Sequence, residues 1–246
     1  MAIRGWILTF CDRFNFKLLT SFMDWKGIAR EIISTIIIVG AIIGIGIAIT
    51  GTWPFMVAVQ SGSMEPHIHK GDVIILFGLN RVGKVVTWID GSKSDYKMFG
   101  DYGDVIVYYP NGDNGKTPII HRVIAYVHKG EYIPTLIKIN GRVYLGYVKV
   151  KAKVSGFITQ GDANYEPCKI QDLKNLLIYN YVLLYNETEK RFDKVNLSDL
   201  TKFKMCKLGI PDQLAPDWNI EPVKEEWIVG VAKFRIPYVG WVRLLI

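Results

Sequence analysis

Residues 32–59, IISTIIIVGAIIGIGIAITGTWPFMVAV, carry no charged side chain and lead through Gln60 into the polar cluster Ser61-Gly-Ser-Met-Glu-Pro66. A helix rises about 1.5 Å per residue, so about 19 helical residues cover about 28 Å, close to the roughly 30 Å hydrocarbon core of a bilayer. The sequence therefore predicts a membrane anchor at residues 32–52. The two hydroxyls of the cluster would follow where the chain leaves the bilayer.

The charges before this apolar run predict its orientation. Basic residues outnumber acidic ones there, with Arg4, Arg13, Lys17, Lys26 and Arg30 against Asp12, Asp24 and Glu31. We therefore expect residues 1–31 in the cytoplasm and the rest on the outer face of the cell membrane. The run is too long and starts too late for a cleaved signal peptide, so a retained single-pass anchor in membrane lipid is expected. Pro54 is expected to end the helix.

Composition narrows the class of protein. A chain of 246 residues suits one membrane segment with one folded domain or two small ones. The net charge is +7, but basic and acidic residues are interspersed without a run of five like charges, so no nucleic-acid partner is expected. Cys11, Cys168 and Cys206 form no Cys-x-x-Cys pair. At most one disulfide could form beyond the anchor, and free thiols are expected.

Runs of β-branched and aromatic residues, separated by Gly and Asn clusters, predict a mainly β fold after the anchor. The strand candidates are residues 72–77, 104–109, 119–127, 135–139, 143–150, 154–159 and 227–234. Residues 173–226 carry clustered charges, Leu-rich segments and prolines, and are expected to form an inserted subdomain of mixed structure. The predicted β domain thus comprises residues 53–172 and 227–246.

Ser63 is the first candidate for chemistry. A serine hydroxyl is a poor nucleophile unless a neighbouring base takes its proton. Among the four histidines, His121 is the best candidate for that base, because it interrupts the apolar strand pattern Ile119-Ile-His-Arg-Val-Ile124. The alternative for His121 is an ordinary hydrogen-bonded histidine of the core or surface.

His67 and His69 follow the serine cluster two residues apart and would point the same way in an extended segment, as a metal pair does. No third ligand accompanies them at a convincing spacing. No metal and no cofactor is therefore expected.

A histidine base works best when a carboxylate accepts a hydrogen bond from its other ring nitrogen. The candidate is Asp162, in the turn-like tetrad Gly161-Asp-Ala-Asn164. The alternative is an aspartate that merely stabilises a turn.

The order of these motifs resembles that of type I signal peptidases. In chain order they are Ser61-Gly-Ser-Met-Glu-Pro66, Lys70-Gly-Asp72, Gly103-Asp-Val-Ile-Val107, His121-Arg-Val-Ile124, Gly161-Asp-Ala-Asn164 and Val229-Gly-Val-Ala232. Bacterial members carry a lysine where His121 stands, so the chain is similar to archaeal and endoplasmic-reticulum members. The resemblance covers roughly residues 53–164 and 227–246. It implies a signal-peptidase-like β catalytic domain on a transmembrane helix.

The resemblance also implies roles for particular residues. Ser63 would be the nucleophile, His121 the general base, and the Ser61 hydroxyl with the Ser63 backbone N–H the oxyanion hole. Relatives often carry a second aspartate six residues after the Gly-Asp pair, but that position is Cys168 here. Asp162 is the expected third member of the triad. Asp172 is the next candidate and Glu166 a distant third.

The implied activity is that of a membrane-anchored serine endopeptidase that removes signal peptides from exported preproteins, cleaving after small residues at −1 and −3. The protein-export channel is a further candidate partner. One alternative is a catalytically inactive, membrane-tethered binding or assembly module of the same fold. Another is a self-cleaving, repressor-type peptidase, but that type uses a lysine base and lacks an anchor. Two sequons, starting at Asn186 and Asn196, are weak signals for glycosylation.

Overall fold

The computed structural model describes residues 25–216 and 219–241. The chain divides into two compact units, Met1–Ala48 and Ile49–Ile246. Two parts of the predicted organisation lie outside the described residues: most of the cytoplasmic segment with Cys11, and the last five residues of the β domain.

The apolar run forms a helix, α1, Trp25–Thr50, of 26 residues. It is long and apolar enough to cross a membrane, and no residue of its most apolar stretch is buried. The helix begins before the predicted anchor of residues 32–52. It ends at Gly51, whose φ is +72°, rather than at Pro54. Glycine ends helices in this conformation because it has no Cβ to clash with the backbone.

The second unit is mainly β, which confirms the predicted fold class. Its described strands are β1 Met56–Ala58, β2 Val73–Phe77, β3 Lys97–Met98, β4 Asp101–Tyr102, β5 Val105–Tyr108, β6 Ile119–Val127, β7 Tyr132–Ile139, β8 Arg142–Lys151, β9 Gly156–Gln160, β10 Tyr165–Lys169, β11 Tyr181–Asn186, β12 Arg191–Asn196, β13 Met205–Gly209 and β14 Ile228–Ile236. Its described α-helices are α2 Leu79–Val82, α3 Trp88–Ser94 and α4 Ile170–Leu176, with 3-10 turns at Pro110–Gly112, Leu197–Leu200, Asp212–Leu214 and Glu225–Trp227. Each range predicted as a strand overlaps one of these strands.

The first sheet has the order β1-β2-β14-β5-β6-β9 and is antiparallel throughout. β6 lies between β5 and β9, where His121 is opposite Ile106 and Arg122 is opposite Gln160. β1 forms one end of this sheet, and no other described strand pairs with its outer edge. His121 therefore lies on an inner strand of the sheet, whereas β1 is an edge strand.

The second sheet has the order β10-β13-β7-β8-β11-β12, which differs from the predicted division into domains. β11 pairs with β8 and β13 pairs with β7, so residues 173–226 continue a sheet that begins before residue 172. The reason is that the exposed edges of the β7–β8 hairpin are completed by later strands, which satisfies their backbone hydrogen bonds. The boundary predicted at residue 172 does not coincide with a boundary between the sheets.

Cys168 and Cys206 lie opposite each other on β10 and β13 and form a disulfide. The prediction of free thiols is therefore wrong for this pair. Pairing of the two strands brings the Cα atoms to 4.9 Å, a distance suited to a disulfide, although the residues are 38 positions apart in the chain.

The turn that carries Ser63 is anchored by apolar side chains. Met64 and Ile68 are fully buried and pack in one cluster with Ile74 and Leu76 of β2. Protein interiors are closely packed, so a backbone segment whose side chains are buried there can move little. We call residues 62–68 the serine turn.

Candidate active site

Ser63 and His121 lie within hydrogen-bond distance, as the sequence predicts. Ser63 is half-buried at the start of the serine turn, and its Oγ lies 2.9 Å from Nε2 of His121. His121 is 2% exposed and lies on β6, which pairs with β5 on one side and β9 on the other. This distance is within the range expected between a nucleophile and its base.

The carboxylate that contacts His121 is Asp212, from the 3-10 turn Asp212–Leu214. Its two oxygens lie 2.8 and 2.7 Å from His121 Nδ1. An ionised carboxylate only accepts hydrogen bonds, so Nδ1 carries the proton and donates it. In the neutral ring Nε2 is then the acceptor, and it receives the hydrogen bond of the Ser63 hydroxyl. Ser63, His121 and Asp212 thus form one continuous hydrogen-bonded chain.

Two further hydroxyls hold the carboxylate of Asp212. Tyr108 on β5 donates from its phenol at 2.7 Å, and Thr159 on β9 donates from Oγ1 at 2.6 Å. Burial, and next the negative charge of Asp212, raise the pKa of Tyr108 well above its usual value, so the phenol stays protonated as a donor. These hydrogen bonds compensate for the burial of Asp212, which is 3% exposed.

Asp162 does not contact His121, so the placement predicted for it is wrong. Its carboxylate instead accepts hydrogen bonds from Arg122, at 2.8 Å from Nε and 2.7 Å from Nη2. It also lies 2.7 Å from Nδ1 of His67. The physical reason is register, because Arg122 and His121 are neighbours on β6 and their side chains point to opposite faces of the sheet. Asp162 lies on the face of Arg122.

The pKa directions fit an ion pair between Asp162 and Arg122. Burial alone would raise the pKa of Asp162, but hydrogen bonds from Arg122 and then His67 lower it below its usual range. Burial alone would lower the pKa of Arg122, but hydrogen bonding and charge from Asp162 raise it. Nη1 of Arg122 also donates to four backbone carbonyls, those of Met98, Asp101, Tyr102 and Gly103. Both groups are therefore charged and held firmly.

The other predicted acids lie elsewhere. Asp172, in the first turn of α4, and Glu166, on β10, are exposed, and neither bonds to His121 in the described structure. Sequence reasoning missed Asp212 because it follows β13 in a segment without a recognisable motif. The one usable signal is the cysteine at position 168, where relatives often carry an aspartate.

The remaining predicted residues surround Ser63. Ser61 is exposed, and its Oγ lies 3.2 Å from Oγ of Ser63. His67 and His69 do not face a common point, because His67 bonds to Asp162 while His69 lies near Arg235, 3.3 Å from its Nη1. The arrangement does not bring the two imidazoles together as a pair of ligands.

A groove of about 770 Å³ opens at Ser63 and His121. Its lining includes Val57 and Val59, which belong to or follow the edge strand β1, and Ile119 at the start of β6. An extended peptide can add to the free edge of a sheet through backbone hydrogen bonds. The groove therefore has the position and the chemistry to present a peptide bond to Ser63.

The sequence of the chain is similar to curated proteins that share one name. It is 31% identical over 109 residues to the signal peptidase complex catalytic subunit SEC11 of Lachancea thermotolerans, a match of 44% of this chain and 43% of the relative. It is 31% identical over 124 residues to the protein of the same name from Eremothecium gossypii, 50% of this chain and 52% of the relative. The match to that of Scheffersomyces stipitis is 32% over 83 residues, 34% and 39% of the two chains.

These matches confirm the resemblance to type I signal peptidases of the endoplasmic-reticulum kind that the motifs indicate. The chain spans about half the length, or less, of the curated relatives it matches. No family model matches it.

Proposed function

We propose that this homologue of endoplasmic-reticulum-type signal peptidases is a membrane-anchored serine endopeptidase that removes N-terminal signal peptides from exported preproteins. The observation that carries the proposal is the hydrogen-bonded chain from Ser63 through His121 to Asp212. A serine, a histidine and a buried carboxylate in this order are the parts of a serine hydrolase triad.

In the proposed reaction Ser63 Oγ attacks the carbonyl carbon of the scissile bond while His121 Nε2 takes its proton. Asp212 stabilises the imidazolium that forms and keeps the ring in the required tautomer. The imidazolium then protonates the leaving amine, which departs as the new N-terminus of the mature protein. Water, deprotonated by His121, hydrolyses the acyl-enzyme and restores Ser63.

The oxyanion of the tetrahedral intermediate is proposed to bind the Ser61 hydroxyl and the Ser63 backbone N–H. Ser61 lies close enough to Ser63 to reach an oxygen bound next to it. No described residue accepts a hydrogen bond from the Ser63 N–H, so this donor is available to the substrate. Such donors contribute most when they are already oriented before the charge develops.

The groove supports a peptide substrate in extended conformation. We propose that the residues before the scissile bond pair with the outer edge of β1, which places the −1 and −3 side chains on the same face. The branched side chains of Val57, Val59 and Ile119 line the groove, and we propose that they contact this face and favour small residues there. This is the small-residue pattern at which signal peptides are cut.

The anchor supports the proposed location. We propose that α1 crosses the cell membrane once, with the N-terminus in the cytoplasm and the catalytic unit on the outer face. The basic residues before the apolar run support this orientation. Exported preproteins are the proposed substrates, while membrane lipid and the export channel are the proposed surroundings.

The test is cleavage of a purified preprotein by the full-length chain in detergent. Ser63→Ala and His121→Ala are each expected to abolish cleavage while leaving expression and membrane insertion unchanged. Matched controls are Ser198→Ala and His128→Ala, which change the same residue types on exposed turns and should cleave at the wild-type rate. Retained cleavage in either active-site variant would rule out the mechanism.

The same experiment addresses the alternative of a catalytically inactive binding or assembly module. That alternative predicts no cleavage by the wild-type chain. The hydrogen bonds among Ser63, His121 and Asp212 argue against it, because they join a nucleophile, a base and a carboxylate in the order that catalysis requires.

A further inference from the structure

Asp162, whose side chain is 6% exposed, has no place in the proposed reaction, although it lies next to the nucleophile in space. It precedes Ala163, whose backbone N–H donates to the carbonyl oxygen of Ser63 at 2.9 Å. A Cβ on Gly161 would come within 2.5 Å of the same carbonyl oxygen. The absence of a side chain at position 161 therefore lets the backbone of this loop approach Ser63 closely.

A second bond joins the same loop to the far end of the serine turn. Nδ1 of His67 lies 2.7 Å from Oδ2 of Asp162. The pKa of Asp162 is lowered, mainly by Arg122 and His67 against its burial, so the carboxylate is ionised and His67 is the donor. Ser63 and His67 lie near the two ends of the serine turn. They are hydrogen-bonded to Ala163 and Asp162, which are adjacent residues of one loop.

The loop that receives these bonds is held by Arg122. Arg122, itself 1% exposed, holds both oxygens of Asp162 and is fixed to the backbone of residues 98–103. Arg122 follows His121 directly on β6. The position of the base and the position of the carboxylate that binds His67 are therefore set by consecutive residues of one strand.

We propose that His67 is a positioning residue, which through Asp162 and Arg122 fixes the serine turn at the distance from His121 that proton transfer needs. The inference rests on the proposed function, because it assigns His67 a part in the reaction of Ser63. His67 touches neither substrate nor reacting atoms. It acts by limiting the rotation of the turn about Ser63, where a displacement of about 1 Å would reduce the rate up to about 100-fold.

Other groups around His67 do not duplicate this bond. Arg235 donates from Nη1 to the backbone carbonyl of His67 at 2.8 Å, and this bond does not involve the imidazole ring. Asp101, Lys138 and Tyr165 line a neighbouring cavity of about 200 Å³ together with His67, without a hydrogen bond to its ring among the described residues. The ring of His67 is thus tied to the site by Asp162.

The test compares His67→Leu, which removes the donor at similar size, with His67→Asn, whose side-chain amide offers an N–H near the former Nδ1. Steady-state cleavage of a preprotein by the full-length chain in detergent gives kcat and KM for each. We expect His67→Leu to lower kcat about 10-fold with KM within about 2-fold, and His67→Asn to recover kcat to within about 3-fold of wild type. His69→Leu is the matched control and should retain the wild-type kcat, because its side chain is half-exposed and makes no bond to Asp162.

Three results would overturn the inference. They are a wild-type kcat in His67→Leu, a kcat in His67→Asn no higher than in His67→Leu, or an equal loss in His69→Leu. If His67→Leu does not fold, His67→Asn decides, and a 10-fold loss in a folded His67→Asn overturns the inference. Ser63→Ala, assayed alongside, separates the two proposals, because cleavage by that variant contradicts the proposed function itself.

Discussion

Asp212 Oδ2 lies 2.7 Å from His121 Nδ1, although 91 residues separate the two in the chain. The contact joins a short turn after β13 of the second sheet to His121, near the start of β6 in the first sheet. Thr159 of β9, the strand next to β6, binds the same carboxylate and completes the connection. The segment predicted as an inserted subdomain thus supplies the acid of the proposed triad.

Asp212→Asn should lower kcat by about 10³- to 10⁴-fold, because an amide facing Nδ1 no longer enforces the tautomer in which Nε2 accepts the serine proton. Asp162→Asn, measured side by side on the same preprotein, should lower kcat only about 10-fold, because it changes the position of the serine turn and not the triad. If Asp162→Asn proves the more damaging of the two, the triad assigned here is wrong.

Ser61→Ala should lower kcat by about 100-fold and leave KM nearly unchanged, because the hydroxyl is proposed to bind the oxygen only after it becomes negative. Ser61→Thr keeps a hydroxyl on the same carbon and is the control, with a kcat expected near that of wild type. An equal loss in both variants would point to the shape of the turn instead of the hydroxyl.

Asp162→Asn should also reduce the free energy of unfolding at pH 7 by about 3 kcal/mol, because it leaves the buried guanidinium of Arg122 without its counter-ion. The pKa of Asp162 is lower in the folded chain than its ordinary 3.8. The stabilisation is therefore fully present above about pH 4 and is lost as the pH falls through the folded pKa.

Urea unfolding in detergent, followed by tryptophan fluorescence at several pH values, checks this prediction. The difference between wild type and Asp162→Asn should be present at pH 7 and should shrink as the pH falls below about 4, where the carboxylate takes up a proton. Asp172→Asn alters an exposed acid and should show little difference at any pH. A difference for Asp162→Asn that persists unchanged or grows below pH 4 contradicts the assigned ion pair.

Removing the disulfide by Cys168→Ser with Cys206→Ser should destabilise the chain by about 3 to 4 kcal/mol, because it frees a loop of several tens of residues in the unfolded state. For a unit of this size the expected fall in Tm is about 10 °C. Wild type with a reductant should unfold at the Tm of the double variant. The reductant should leave the double variant unchanged, and an unaffected wild type would mean that the pair is not bonded.

Sequence reasoning worked where the signal lies in neighbouring residues. The apolar run that becomes α1, the β-branched and aromatic runs that become β5 and β6, and the motifs around Ser63 and His121 are all local patterns. It failed for Asp162, because the choice between the two faces of β6 depends on how the following loop packs. It failed for Cys168 and Cys206, because nothing in the intervening residues indicates that β10 and β13 pair.

An apolar anchor, a mainly β unit and a serine with a histidine to activate it can be predicted from the amino-acid sequence alone. Hydrophobic length and the clustering of β-branched residues are properties of consecutive residues, so they can be seen without a structure. The acid that contacts His121 and the partners of Asp162 are known only from the folded chain. A hydrogen bond forms only within about 3 Å, and contact at that range between residues 121 and 212 depends on the pairing of strands across two sheets.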